Sequence, residues 1–280
     1  LSPRKELHSS YVFDRIFPLK IGDNNFSLTL CAIAELSLID PVLLEEKSSE
    51  ITTLLIKEIL LKNSPETDSI KSTDAITANS EWIAASEYES HPNLLRKLLT
   101  LKIFVNRLKS YKSDILTTEE CNSTAELVLK LLSLLIGNGG EIVNDEKSKT
   151  PTPYQVQLRY HAGLHLLKLA KIPHFETLIN TNSINKLIYL VQDQNLNVRS
   201  GFLAKLQKYL SEDMIPDRFL HLVFFVAYDP SIKIKQNTTN WVQSFHKRQE
   251  KRQQISCEAA LLRLVHSITH MQEFQEFRRQ

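Results

Sequence analysis

Glycine is nearly absent from this chain, with 6 in 280 residues. Tight hairpins, dinucleotide-binding turns and phosphate-cradling loops all rely on backbone conformations that glycine adopts without penalty. All-β and nucleotide-binding α/β folds therefore lose ground. Leucine, lysine and glutamate are abundant, which favours helix. With 42% hydrophobic and 24% charged residues, the chain can bury a large core and lies outside the disordered range. A single closed core becomes unfavourable above roughly 250 residues, a limit that a stack of repeats escapes because each unit packs only on its neighbours.

Apolar residues recur at helical spacing along most of the chain, and no stretch alternates convincingly as a strand. The spacing predicts helices over Phe26–Leu38, Leu43–Leu61, Asn93–Tyr111, Ala125–Leu135, Tyr154–Leu169, Ile184–Val191, Val198–Leu210, Ile215–Ala227, Ile234–Phe245 and Ile255–His270. Short connections carrying breakers join them, such as "IDP" at Ile39–Pro41 and "YDP" at Tyr228–Pro230. Two polar stretches read as loops, one at about 63–92 and one at about 138–153. Trp82 and Ile83 are the apolar residues available to anchor the far end of the first. Apart from these loops, residues 1–280 read as one continuous array.

The segment "DQNLNVRSGFLAKLQKYL" poses a physical problem. Arg199 falls in the first turn of the predicted helix, where the macrodipole disfavours a cation. Asp193, in the turn just before, is the nearest group to hold it. A second aspartate ends another helix at Asp229, and 229 − 193 gives a spacing of 36, near the period of HEAT-type repeats. In that architecture the inter-helix aspartate and the arginine of the following helix form a ladder between stacked repeats. The expected fold is therefore an all-α HEAT-repeat superhelical solenoid, with Asp193 and Arg199 as a structural ladder.

Sites for chemistry are weak. The three cysteines, Cys31, Cys121 and Cys257, form no CxxC pair, which suggests neither a disulfide framework nor a thiolate zinc site. His161 and His165 sit one helical turn apart, but the glutamate of HExxH is missing and no third ligand is evident; His266 and His270 repeat the pattern. "GNGG" at Gly137–Gly140 follows a helix and lacks the Lys-Ser/Thr of a phosphate loop, so it reads as a helix C-cap. No nucleophile elbow is present. The expectation is a protein that is not an enzyme, with no metal and no cofactor. The longest uncharged runs, such as "FLHLVFFVAY", are half a membrane span, so no membrane partner is expected. "LSPRKELHSS" reads as the start of an excised fragment. The basic run "HKRQEKRQQ" at His246–Gln254 reads as a solvated helix end, with DNA or an acidic peptide as its functional alternative. Lys and Arg total 34 against 32 Asp and Glu, so direct DNA binding should be weak or absent.

Several segments together resemble one family, the cohesin-associated HEAT-repeat regulators called precocious dissociation of sisters protein five. The matching stretches are "HSSYVFDRIFPL", "LKIFVNRL", "LRYHAGLHLLKLAKIPHF", "NVRSGFLAKLQKYL" and "FFVAYDP". They occur in family order over about Tyr11 to Lys247, and would lie in the middle of a longer solenoid. The family's amino-terminal Ala-Pro-Asp-Ala-Pro motif is absent. The resemblance implies a non-enzymatic, nuclear, chromosome-associated protein that binds the kleisin subunit of cohesin and helps control its maintenance on, and release from, chromatin. The releasing factor, the cohesin acetyltransferase and the SMC subunits would be met through regions outside this chain. The basic and polar residues on the matching helices, Lys102, Asn106, Arg159, Lys168, Lys205 and Lys208, are the candidate partner-binding residues. The alternative is a generic helical scaffold for nucleic acid or nuclear transport, which fold alone cannot separate.

Overall fold

The computed structural model describes residues 5–62, 81–111, 118–142 and 149–270, and among them there is no strand. The protein is all-α. Its contacts cluster into two compact units, one ending at Leu178 and one beginning at Ile179.

In the first unit, α1 (Lys5–Ile16) and α2 (Phe26–Ile39) are followed by α3 (Pro41–Glu45) and α4 (Ser48–Leu54). α4 runs into a wider π-helical turn, Leu55–Leu60. A 3₁₀ segment, Ala85–Ser90, leads into the long helix α5 (Pro92–Ser110), then α6 (Glu119–Gly137), α7 (Thr152–Leu169) and α8 (Pro173–Leu178). Start signals are local. Pro41 and Pro92 occupy the first helical position of α3 and α5, where no amide hydrogen is needed. Thr118 caps α6 by accepting from the Cys121 amide at 3.2 Å. α5 is the spine, packing against α2 on one side and α7 on another, and α7 packs on α6. Leu30, Ile33 and Ala34 of α2 are fully buried in one apolar cluster with Leu99 and Ile103 of α5.

The second unit contains α9 (Thr181–Lys186), α10 (Ile188–Val191), α11 (Leu196–Ser211), α12 (His221–Phe224), α13 (Ile232–Lys251) and α14 (Ser256–His270). Asn195 caps α11 by accepting from the Asn197 amide at 2.9 Å, and the Ser231 hydroxyl caps α13. Phe202, Leu206, Phe219, Leu220 and Leu222 fill its interior.

The predicted helices are present, with three changes of form. The stretch 43–61 is broken at Glu46–Lys47, and the Arg107 guanidinium straddles the break, binding Ser48 Oγ at 2.5 Å and Glu45 Oε1 at 3.1 Å. The stretch 184–191 is interrupted at Leu187. The stretch 215–227 is two 3₁₀ turns, Asp217–Phe219 and Phe225–Tyr228, around the single turn of α12. Nearly every residue from Phe219 to Val226 is buried, so packing on all sides, and not one amphipathic face, sets its path. Of the first expected loop, residues 63–80 lie outside the described residues, whereas 81–92 are ordered. Of the second, 143–148 lie outside them.

Candidate partner-binding surface

Arg199 opens α11 and is 7% exposed, so its charge must be met inside the protein. Nη1 donates to the Asp193 carbonyl at 2.6 Å and to the Gln194 carbonyl at 3.1 Å. Nε donates to Asp229 Oδ2 at 2.8 Å, and the Asp229 side chain is 1% exposed. Asp193 thus meets Arg199 through its main chain, while the carboxylate that takes Nε comes from the aspartate 36 residues further on. Chain proximity pointed to Asp193, but the turn after α12 brings Asp229 to the same guanidinium.

In the first unit the basic candidates lie on α5 and α7. Lys102 reaches Glu35 of α2 at 2.7 Å in an exposed ion pair. Burial first, then the charge of Lys168, pushes the His165 imidazole well below its ordinary value, with smaller contributions from His161, Lys109 and Lys102. Arg159 donates to the Gly139 carbonyl at 3.1 Å, at the end of α6. Asn106 is a correction. It is 5% exposed and donates Nδ2 to the Ala34 carbonyl at 2.7 Å, tying α5 to α2, so it drops out of the surface set. Its polarity resembled a groove residue, but position 106 falls on the face that α2 covers.

In the second unit, the Lys205 ammonium lies 5.1 Å from the centre of the Tyr209 ring. Lys208 faces Glu212 at 3.8 Å, one turn along the same helix, in an exposed pair that contributes little to stability. The basic run 246–254 closes α13, where Arg252 pairs with Asp213 at 2.8 Å.

Two features go beyond the sequence reading. The first is a strap at 82–91 laid on α7, of which only the anchors Trp82 and Ile83 were expected. Trp82 sits edge-on to Tyr160, Ile83 is buried, and Gln157 donates Nε2 to the Ile83 carbonyl at 2.7 Å. The Tyr88 hydroxyl joins Gln157 Oε1 at 2.8 Å and His161 Nε2 at 3.1 Å, and His91 meets the Tyr154 hydroxyl at 3.2 Å. Burial, reinforced by Lys168, holds His161 down to about 4. Aromatic residues and histidines inside an otherwise polar stretch were the available signal. The second is a groove beside α13, lined by Val223, Val226, Lys235 and Val242. Among the described residues no three His, Cys, Asp or Glu side chains converge as a metal-binding group, and no helix is long and apolar enough to cross a membrane.

Comparison with known proteins gives a consistent picture. The family profile described as "Sister chromatid cohesion protein PDS5 protein" matches residues 1–280. The chain is 36% identical over 274 residues to "Sister chromatid cohesion protein PDS5" of Saccharomyces cerevisiae, covering 96% of this chain and 21% of that protein. It is 30% identical over 227 residues to the Schizosaccharomyces pombe protein of the same name, covering 81% of this chain and 18% of that one. With "PDS5 homolog A" of Homo sapiens it shares 27% identity over 142 residues, 51% of this chain and 10% of the relative. The chain therefore spans about a fifth of the length of the two yeast relatives. Matched along its whole length, this all-α chain belongs to the PDS5 family of sister chromatid cohesion proteins.

Proposed function

We propose that this chain is part of a non-enzymatic helical scaffold that acts in sister chromatid cohesion by binding the kleisin subunit of cohesin. In this reading it works on chromosomes in the nucleus, and helps both to maintain cohesin on chromatin and to release it. The carrying observation is the family match over residues 1–280, supported by 36% identity to a yeast sister chromatid cohesion protein. Helical-repeat surfaces suit extended or helical peptides, whose apolar side chains enter grooves between helices. Lys102 and Lys168 in one unit and Lys205 in the other would meet acidic residues of the peptide. Apolar anchors would supply most of the affinity, while the basic side chains would set association rate and salt sensitivity. The releasing factor, the cohesin acetyltransferase and the SMC subunits are proposed to engage regions of the longer protein outside this chain.

Cross-linking the chain to a fragment from the amino-terminal part of the cognate kleisin tests this reading. Amine-reactive cross-links from Lys102, Lys168 or Lys205 to the kleisin are expected. Their absence, with cross-links to remote lysines only, would refute the assignment of these residues.

A further inference from the structure

The second unit carries an open groove of about 300 Å³ between the α12 region and α13. Val223, Val226, Ala227 and Val242 give it an apolar lining, and Lys235 and Thr239 stand at its α13 side. One wall is held in place by Gln207, which donates Nε2 to Thr238 Oγ1 at 3.2 Å. Beside the groove, Tyr228 is 89% exposed and Ile232 67% exposed, so the apolar surface extends beyond the cavity itself.

Lys235 is the charged side chain in this groove's lining, and the helix that carries it is mostly basic. α13 contains Lys233, Lys235, Lys247, Arg248 and Lys251 against a single acid, Glu250. Among the described residues Lys233, Lys235, Lys247 and Lys251 have no acidic partner. The nearby Asp229 is already committed to Arg199. An apolar cleft with the Lys235 ammonium at its edge and no acidic partner for it, on a helix that carries further lysines, is complementary to one kind of occupant: an apolar side chain to leave water, flanked by carboxylates to meet the lysines. A nucleic acid backbone would use the lysines but leave the apolar lining wet.

We infer that this groove docks a short segment of another protein in which an apolar anchor is flanked by acidic residues. The inference rests on the reading of this chain as a cohesin-binding scaffold, and assigns that role a specific pocket. The lining valines would bury the anchor, and Lys235 would fix its register through the neighbouring carboxylate.

The test uses the intact protein and two sets of fluorescent peptides, one tiling the cognate kleisin and one tiling the other cohesin subunits, read by anisotropy. Ala227→Glu puts a charge into the groove, Thr239→Trp fills it, and Lys235→Glu reverses its rim; all three sit at positions open to solvent or nearly so. Circular dichroism melting confirms that each variant folds. At least one peptide combining an apolar and several acidic residues should lose tenfold or more in affinity with Ala227→Glu and with Thr239→Trp. Lys235→Glu should flatten that peptide's salt dependence. If kleisin peptides bind but ignore all three variants, the groove assignment is overturned while kleisin binding stands. If the sensitive peptide comes from another subunit and no kleisin peptide binds, groove docking holds and the kleisin reading falls. If no peptide responds and a DNA duplex alone loses affinity with Lys235→Glu, the face is a nucleic-acid surface and the inference is wrong.

Discussion

Arg199 and Asp229, 30 residues apart in sequence, form a buried ion pair at 2.8 Å. The pair joins two copies of one turn. Asp193 Oδ1 accepts from the Asn195 amide at 2.8 Å, and Asp229 Oδ1 accepts from the Ser231 amide at 2.7 Å. Each aspartate thus folds the chain into the N-cap of the next helix, α11 or α13. Arg199 then links the copies, with Nη1 on the carbonyl of the first and Nε on the carboxylate of the second. This resolves why a cation opens α11: the helix-end penalty is a few tenths of a kcal/mol or more, and a buried charge-assisted network outweighs it.

Arg199→Ala should cost about 3 kcal/mol, because it leaves the Asp229 carboxylate buried without its cation. Asp229→Ala should cost a similar amount, and the double variant less than the sum. Urea unfolding of the four proteins checks this. Additive losses below about 1 kcal/mol would show the pair to be incidental.

The interior histidines predict an acid-sensitive fold. Burial first, and Lys168 second, lower His161 to about 4 and place His165 well below its ordinary value. Unfolded imidazoles titrate near ~6.5. Between those values the unfolded chain binds more protons, so stability is full above ~6.5 and for His161 is lost as pH falls toward ~4, by roughly 1 kcal/mol per pH unit, with His165 adding a loss of the same sign. Urea midpoints from pH 7 to 5 should fall. Nδ1 of His165 has no hydrogen-bond partner among the described residues, so His165→Leu should flatten part of that fall. An unchanged slope would contradict the assignment.

At the end of α6, Gly140 has φ +104°, and its amide donates to the Leu135 carbonyl at 2.7 Å. A Cβ there would lie 2.1 Å from the Gln155 carbonyl oxygen in the first turn of α7. Gly140→Ala should therefore destabilise by at least ~2 kcal/mol through strain and overlap together. Gly22, where an added Cβ meets nothing within 4 Å, is the control and should tolerate alanine. Equal melting temperatures for the two variants would remove Gly140 from the account.

Lys97 is 3% exposed and donates to the Leu60 carbonyl at 2.7 Å and the Lys62 carbonyl at 3.1 Å, closing the π-helical turn onto α5. Burial lowers its pKa to about 8, against ~10.4 for an exposed lysine. The unfolded state therefore holds more protons above pH 8, and stability should rise between pH 8 and 10. Lys97→Met should abolish that rise and cost ~1–3 kcal/mol at neutral pH by stranding the two carbonyls.

Long helices were legible from spacing: α2, α5, α7 and α11 follow from where their apolar residues recur. α1 was legible through the family-like stretch "HSSYVFDRIFPL", and not through periodicity, because its segment is mostly polar. The strap at 82–91 was legible only at Trp82 and Ile83, because its order comes from Tyr88 and His91 meeting residues 63 to 73 positions away. The Asp–Arg ladder could be read as a type of contact, but its carboxylate was set by tertiary approach. Asn106 was misplaced for the same reason: α2 covers it.

The most direct measurement is a titration of the purified 280-residue chain with a peptide from the amino-terminal part of the cognate kleisin. Saturable binding that weakens with salt is predicted, with charge reversal at Lys102, Lys168 and Lys205 reducing affinity at low ionic strength. Binding that survives all three reversals unchanged would sink the residue assignment. No binding to this chain, with full binding to the longer protein, would contradict the central claim and place the kleisin site in other repeats.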